Sequence, residues 1–263
     1  MKTNEPTSPA DRARTLRELH AAHEILRVVN VWDVVSAKAI LDLPDTKALA
    51  TAGHSIAATF GYPDGMIPLD VTLDMVGRIV TVAGDIPVSA DLDDGYDDPR
   101  ETTRRAIGVG IVGGNVEDRL LPVAEAARRV AAVVAAGEAE GVPFALNART
   151  DAFVRGGDKP IADKVADAIE RGRAYLDAGA DIIFVPGILD AEVTRLLVDG
   201  IGKRKVSVIG PPGALTAAQY EALGVARISY GPTTQRVALT ALQDVAKSLY
   251  VDGVIPDSTR ALD

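Results

Sequence analysis

Short apolar runs recur along the chain, each closing on polar or glycine residues and each followed by apolar positions at helical spacing. The runs are RVVNVWD (27–33), ALATAG (48–53), IPVSADL (86–92), GGNVED (113–118), FALNART (144–150), DIIFVPG (181–187), KVSVIG (205–210) and ARISYG (226–231). Between them lie the helical patterns VVSAKAILD, LDVTLDMVGRIVTVAG, PRETTRRAIGVGI, PVAEAARRVAAVVAAGEAEG, IADKVADAIERGRAYLDAG, AEVTRLLVDG, TAAQYEALG and TTQRVALTALQDVAKSLYVDG, several of them stopped by glycine. Ser8 followed by Pro9 predicts a further helix over 9–23, ahead of the first run. Asp98, Pro99 and Glu101 predict a start resembling a capping box.

Eight β-then-α units, with strands too uniformly apolar to face water, predict an α/β fold: a closed parallel (β/α)8 TIM barrel with an extra N-terminal helix. An open doubly wound sheet is the rival, but no G-x-G-x-x-G follows the first run. The 263 residues suit one domain over 1–263, with residues 1–7 and 255–263 expected to be flexible or peripheral.

Composition narrows the function classes. A net charge of −9 and the lack of basic runs argue against nucleic acid or an anionic membrane as partner. No apolar stretch reaches the length of a membrane span and MKTNEPTSPAD lacks a signal-peptide core, so a cytoplasmic protein is expected. With no cysteine, thiolate zinc sites and cysteine nucleophiles drop out.

The chemistry gathers at the ends of the runs, where a barrel builds its active site. In IPVSADLDDGY, Asp91 and Asp93 share a face of an extended chain. Two carboxylates about 6 Å apart repel by roughly 3 kcal/mol at an effective dielectric near 20. They stay together cheaply only around a cation, or with one protonated. An acidic solvated turn is the alternative; an EF-hand is not, because Gly95 comes one residue early. Glu117 ends the next run, and three carboxylates without cysteine make a ligand set for a hard cation, Mg²⁺ or Mn²⁺. Arg149 is placed to clamp a carboxylate or phosphonate, or to form a salt bridge with Asp151 or Glu117. His54 is either a general acid or oxyanion donor, or a hydrogen-bonded structural residue. Trp32 either walls the pocket or packs at the barrel rim.

Together NVWDVVSA (30–37), ATAGHSIAATFGYPDG (50–65), PVSADLDDGY (87–96), GGNVEDR (113–119), NARTDAF (147–153), AGADIIFVPG (178–187) and ARISYGP (226–232) form a specific signature. Over roughly Val29 to Leu249 the chain resembles the isocitrate lyase / phosphoenolpyruvate mutase superfamily. The resemblance implies a (β/α)8 barrel whose last helix swaps between subunits of a homodimer or homotetramer. It implies that Asp91, Asp93 and Glu117 hold Mg²⁺, partly through water. It also implies that Arg149 binds the substrate carboxylate, that Asp64 lies near the substrate, and that Trp32 and Ala52-Gly53-His54 supply wall and backbone donors around an oxyanion.

Departures from the family pattern shape the expected reaction. Members that cleave isocitrate or methylisocitrate use a cysteine in a K-K-C-G-H-like loop, where this chain reads EDRLLPVAEAARR. The mutases and phosphonopyruvate hydrolases carry Lys and Asn or Thr about where Val123 and Glu125 stand here. Ala52 replaces a serine, and His54 takes a site that is often small. A Mg²⁺-dependent carbon–carbon lyase acting on a small 2-oxo or 2-hydroxy dicarboxylate through an enolate is therefore expected, with decarboxylation of an oxaloacetate-like acid first. Carbon–phosphorus chemistry of the mutase or hydrolase type and a non-catalytic dicarboxylate-binding barrel are the alternatives.

Overall fold

A computed structural model describes residues 7–262. Every apolar run becomes a strand: β1 (Leu26–Val28), β2 (Asn30–Val31), β3 (Leu49–Thr51), β4 (Val88–Asp91), β5 (Gly113–Glu117), β6 (Ala145–Arg149), β7 (Ile182–Phe184), β8 (Val206–Ile209) and β9 (Arg227–Ser229). All pairs are parallel, in the order β1-β9-β8-β7-β6-β5-β4-β3-β2. Only Val29 separates β1 from β2, so these are two halves of one stave and the sheet closes on itself as an eight-staved barrel.

Among the described residues ten helices accompany the strands: α1 (Pro9–Ala21), α2 (Val34–Leu41), α3 (Gly53–Thr59), α4 (Leu69–Ala83), α5 (Pro99–Gly108), α6 (Val123–Ala139), α7 (Ile161–Asp177), α8 (Ala191–Ile201), α9 (Ala217–Leu223) and α10 (Thr233–Leu249). Helix α1 is the extra N-terminal one. Ser8 caps it by accepting from Asp11 N–H, and it stops two residues short of the expected 23. It plugs the N-terminal end of the barrel. Leu16, fully buried, lies against Gly113, where an added Cβ would come within 2.7 Å of both Leu16 Cδ2 and the Ala145 carbonyl oxygen. The glycine pair opening β5 therefore makes room for the plug.

Three expectations need correction. Asp98 does cap α5, through Arg100 and Glu101 N–H. The carboxylate of Glu101 turns instead to Arg104 at 2.7 and 2.6 Å, because an exposed i,i+3 guanidinium competes for it. The short α3 was not foreseen: the polar end read into Gly53-His54-Ser55 is its first turn, and Phe60 and the turn after it precede α4. The strands are also less uniformly apolar than their sequence reading held. Buried Asn30, Thr51, Ser89, Asn115, Asn147, Ser207 and Arg227 fill much of the bore. Arg227 on β9 reaches across it to Ser89 Oγ on β4 at 3.2 Å, and Asn147 bonds Asn115 at 2.7 Å. Such groups are tolerated in a closed barrel because other staves supply partners, the adjacent one for Asn147 and Asn115 and one across the bore for Arg227 and Ser89.

Residues 1–6 and 263, part of the segments expected to be peripheral, lie outside the described residues. Ile255–Leu262 carries no helix or strand and is exposed. No helix among the described residues is long and apolar enough to cross a membrane.

Candidate active site

A cavity of about 400 Å³ opens at the C-terminal ends of the strands. Asp91, Asp93, Glu117, Arg149, Ala52, His54 and Asp64 all line it, so the fold brings together most of the residues singled out in the sequence.

Each side chain has a local reason for its place. Asp91 ends β4; its N–H donates to Thr51 Oγ1 at 3.1 Å, and its Oδ2 accepts Gly53 N–H at 3.1 Å. An added Cβ at Gly53 would sit 3.0 Å from that oxygen, so glycine here permits the approach of α3 to the carboxylate. Asp93 occupies the left-handed region at φ 49° in a tight turn closed by Gly95 N–H to the Leu92 carbonyl. Its own carbonyl accepts Glu117 N–H at 2.8 Å, locking the ends of β4 and β5 together. A non-glycine residue held at positive φ costs about 1 kcal/mol, tolerated where neighbouring bonds over-determine the turn.

Three acids therefore face one cavity, with the arginine pairs gathered on Glu117 rather than on Asp91 or Asp93. Burial and the nearby Asp91 and Glu117 push the Asp93 carboxyl up to about 7. Burial also raises Asp91, against the opposing pull of Arg149 and the Gly53 N–H. Glu117 is raised by burial despite Arg149 Nη1 at 2.8 Å, so desolvation outweighs the ion pair.

Arg149 makes both salt bridges foreseen as its alternative role: Nη1 to Glu117 and Nε to Asp151 Oδ1, each at 2.8 Å. These contacts hold the guanidinium plane in place at the cavity wall rather than removing it from the cavity, which it still lines. Asp151 is fully buried, and its Oδ2 accepts from Arg155 Nε at 2.8 Å. Arg119 bridges Glu117 at 3.2 Å and Asp94 at 3.1 Å.

Two expectations do not survive the geometry. Trp32 does not line the cavity. It faces a separate apolar groove between α2 and α10, shared with Val35, Val237 and Leu262, because the capping box of Asp33 and Ser36 starts α2 immediately after it. Packing at the rim, its alternative role, is the one observed. The backbone donors at Ala52 and Gly53 are also committed, the first to the Val31 carbonyl at 3.2 Å and the second to Asp91. His54 sits half-buried at the mouth on α3, with Nδ1 3.4 Å from Asp64 Oδ2.

Sequence reasoning missed the roles of Asp118, Arg119 and Arg155. Asp118, adjacent to Glu117, points the other way, into the wall. Its Oδ1 accepts Leu120 N–H at 2.9 Å and Asp151 N–H at 3.0 Å, and its Oδ2 accepts Tyr175 OH at 2.6 Å and Arg171 Nη1 at 3.3 Å. Strand alternation was a partial signal: the residue just past Glu117 faces away from it, but alternation does not say which of the two faces the cavity.

Among the described residues, no three His, Asp or Glu side chains are close enough to hold an ion directly. The donor set nonetheless fits a hard cation held partly through water. Oxygen ligands only, an excess of negative charge and room for solvent are what Mg²⁺ requires.

Known proteins agree with this architecture. The family profile of phosphoenolpyruvate phosphomutase matches residues 16–250. A protein described as a probable 2-methylisocitrate lyase 2, from Corynebacterium glutamicum, is 30% identical over 92% of this chain and 83% of its own. An oxaloacetate decarboxylase from Paraburkholderia xenovorans is 30% identical over 90% of this chain and 81% of its own. The structure of an oxaloacetate acetylhydrolase bound to oxalate superposes with a TM-score of 0.85 at 26% identity, covering 98% of this chain and 92% of that one. Barrel, acid cluster and matched length together lead to one assignment: this chain belongs to the isocitrate lyase / phosphoenolpyruvate mutase superfamily.

Proposed function

We propose that the cavity at the barrel mouth is the active site of a Mg²⁺-dependent lyase that decarboxylates a small 2-oxo dicarboxylate of the oxaloacetate type. The observation that carries this reading is the cluster of Asp91, Asp93 and Glu117 in one cavity, with Arg149 fixed beside it. Superfamily members generally use Mg²⁺, and relatives include an oxaloacetate decarboxylase and lyases of small acids.

Asp91, Asp93 and Glu117 would hold the ion. When bound, a hard divalent cation stabilises the negative charge that grows on the 2-oxo oxygen as the bond to the departing carboxylate breaks. Arg149, kept in plane by Glu117 and Asp151, binds the carboxylate that stays on the product. Gly53 N–H fixes the Asp91 carboxylate, so little reorganisation is needed as charge moves. Loss of CO₂ leaves an enolate whose methylene carbon takes one proton. His54, steered by Asp64 at the open mouth, is the imidazole in reach of the cavity to deliver it. The absence of any cysteine fits a reaction that needs no thiol acid or base.

The deciding assay measures pyruvate formation from oxaloacetate with Mg²⁺ against the metal-only rate. Turnover that falls by about 10²-fold or more in Arg149→Gln and Asp93→Asn supports the reading. A rate equal to metal alone refutes it. A phosphorus NMR shift on incubation with phosphonopyruvate would move the chemistry to a carbon–phosphorus bond. Oxalate binding without any turnover would leave a binding barrel.

The same reading includes a homodimer or homotetramer. On α10 only Gln235 is buried, while Val237, Leu239 and Leu242 are exposed, and Tyr250 and Val251 follow exposed. Apolar positions left open on an amphipathic helix suit pairing with a second copy by helix exchange. Sedimentation of the purified protein as a monomer would remove this part.

A further inference from the structure

The turn that follows β6 fixes one arginine in the wall of the barrel-mouth cavity. Arg155 N–H donates to the Asp151 carbonyl at 2.8 Å, and its Nε donates to Asp151 Oδ2, also at 2.8 Å. Asp151 is fully buried and is itself fixed by its N–H on Asp118 Oδ1 at 3.0 Å. Just beyond Arg155 the chain folds so tightly that a Cβ on Gly156 would lie 2.2 Å from the Ala152 carbonyl oxygen. Lys164 Nζ then ties down the Gly157 carbonyl at 2.7 Å. An arginine tethered by backbone and side chain has already lost much of the freedom that binding would otherwise cost.

The tether uses Nε alone. Among the described residues neither terminal nitrogen of Arg155 has a hydrogen-bond acceptor, and Nη2 stands 3.9 Å from Glu117 Oε1, beyond hydrogen-bond reach. Arg119 repeats the arrangement. Its Nε serves the same Glu117 oxygen at 3.2 Å and Asp94 at 3.1 Å, and its terminal nitrogens too lack an acceptor among the described residues. Both side chains line the cavity and are open to it, 51% and 40% exposed, so a ligand there can reach them. Arg149 differs, with Nη1 and Nε both on acids. A guanidinium held through Nε keeps its Nη1–Nη2 edge, and that edge matches a carboxylate in bidentate fashion. Charge points the same way. The three guanidiniums share three acids, Glu117, Asp94 and Asp151, and a cation drawing on Glu117 leaves that set one negative charge short.

We propose that Arg155, with Arg119 beside the same Glu117 oxygen, holds the second carboxylate of the substrate and selects acids with two carboxylates over acids with one. This rests on reading the cavity as the active site. In the reaction proposed above Arg149 takes the carboxylate that stays, so Arg155 takes the one that departs. Carbon dioxide is uncharged, so the contact fades as the bond breaks. It belongs to the ground state, and its removal raises KM without a matching fall in kcat.

Calorimetry on the full chain with Mg²⁺ tests this, with malate and lactate as titrants, two 2-hydroxy acids that differ by the second carboxylate. The expected result is malate binding about 10-fold or more tighter than lactate. Arg155→Gln should remove most of that preference by weakening malate alone, Arg119→Gln should reduce it, and Arg155→Lys should retain part of it. With oxaloacetate, Arg155→Gln should raise KM about 10-fold. A preference that survives Arg155→Gln, or no preference in the wild type, overturns the proposal. Equal loss of malate and lactate binding with a lowered Tm would make Arg155 a strut for Asp151 and overturn it as well. The two readings fail separately: no pyruvate from oxaloacetate, with an Arg155-dependent malate preference intact, removes the decarboxylase and keeps the subsite. Turnover with a preference indifferent to Arg155 does the reverse.

Discussion

Asp118→Asn should destabilise the protein far more than its conservative chemistry suggests. The carboxylate sits 4% exposed at the end of β5 and serves four donors. An asparagine can still present one oxygen to the N–H groups of Leu120 and Asp151. Its amide must then face Tyr175 OH and Arg171 Nη1. Burial and the Asp118 charge push the Tyr175 hydroxyl up, so it remains a proton carrier that can turn and accept. Arg171 cannot accept, and it keeps Asp167 at 2.7 Å, the Leu121 carbonyl at 2.8 Å and a long bond to Tyr175 OH at 3.4 Å. A lost charged hydrogen bond is worth about 1.5–3 kcal/mol. Breaking a buried pair outright costs about 3–5 kcal/mol, and the retained Asp167 discounts that. Together these give about 2–4 kcal/mol, or a fall in Tm of about 4–16 °C for a chain of this size. Urea titration should show the loss at constant m value. Arg171→Met in the Asp118→Asn background should cost less than the two single changes summed, with a coupling of about 1–3 kcal/mol. A single variant within about 0.5 kcal/mol of wild type would show that Asp118 does not carry the β5–β6–α7 junction.

Other changes test the site and the plug. Asp93→Asn relieves a repulsion and should leave the chelator-treated protein as stable or more so, by roughly 0.5–2 kcal/mol, while abolishing the Tm rise that Mg²⁺ produces; a Mg²⁺-induced rise that persists would count against the acid cluster. Gly53→Ala places a methyl 3.0 Å from Asp91 Oδ2, so Mg²⁺ affinity measured by calorimetry should weaken about 10-fold with the fold intact. His20 is held well below its usual 6.5 by burial and by Arg227, Arg17 and Lys205. Below pH ~6.5 the unfolded chain takes a proton that the folded chain refuses, so stability is full above that pH and falls as pH drops, by up to about 1.4 kcal/mol per unit. Subtracting the urea-derived profile of His20→Gln should isolate that slope; parallel profiles would refute it.

Periodicity and capping chemistry were local, and local features were legible. Eight apolar runs became eight staves; Ser8-Pro9 and Asp98-Pro99 began helices; Asp91, Asp93, Glu117 and Arg149 met in one cavity because strand ends in a closed barrel converge. What the linear chain did not determine was direction. Glu117 and Asp118 are neighbours of the same charge, yet one faces the mouth and the other serves as a buried joint, a choice made by the tilt and closure of the sheet. Trp32 turned outward because α2 starts at once behind it, and Arg149 became a clamped rather than a free guanidinium because β5 and β6 pair in register at Glu117 and Arg149. The polar bore reads as a weakness in eight separate strands, and is tolerated only when the assembled sheet brings Arg227 across to Ser89 and sets Asn147 beside Asn115 on the neighbouring stave. Sequence decided which groups are present and which elements carry them; closure of the barrel decided which face each group serves, because only there do distant staves become each other's solvent.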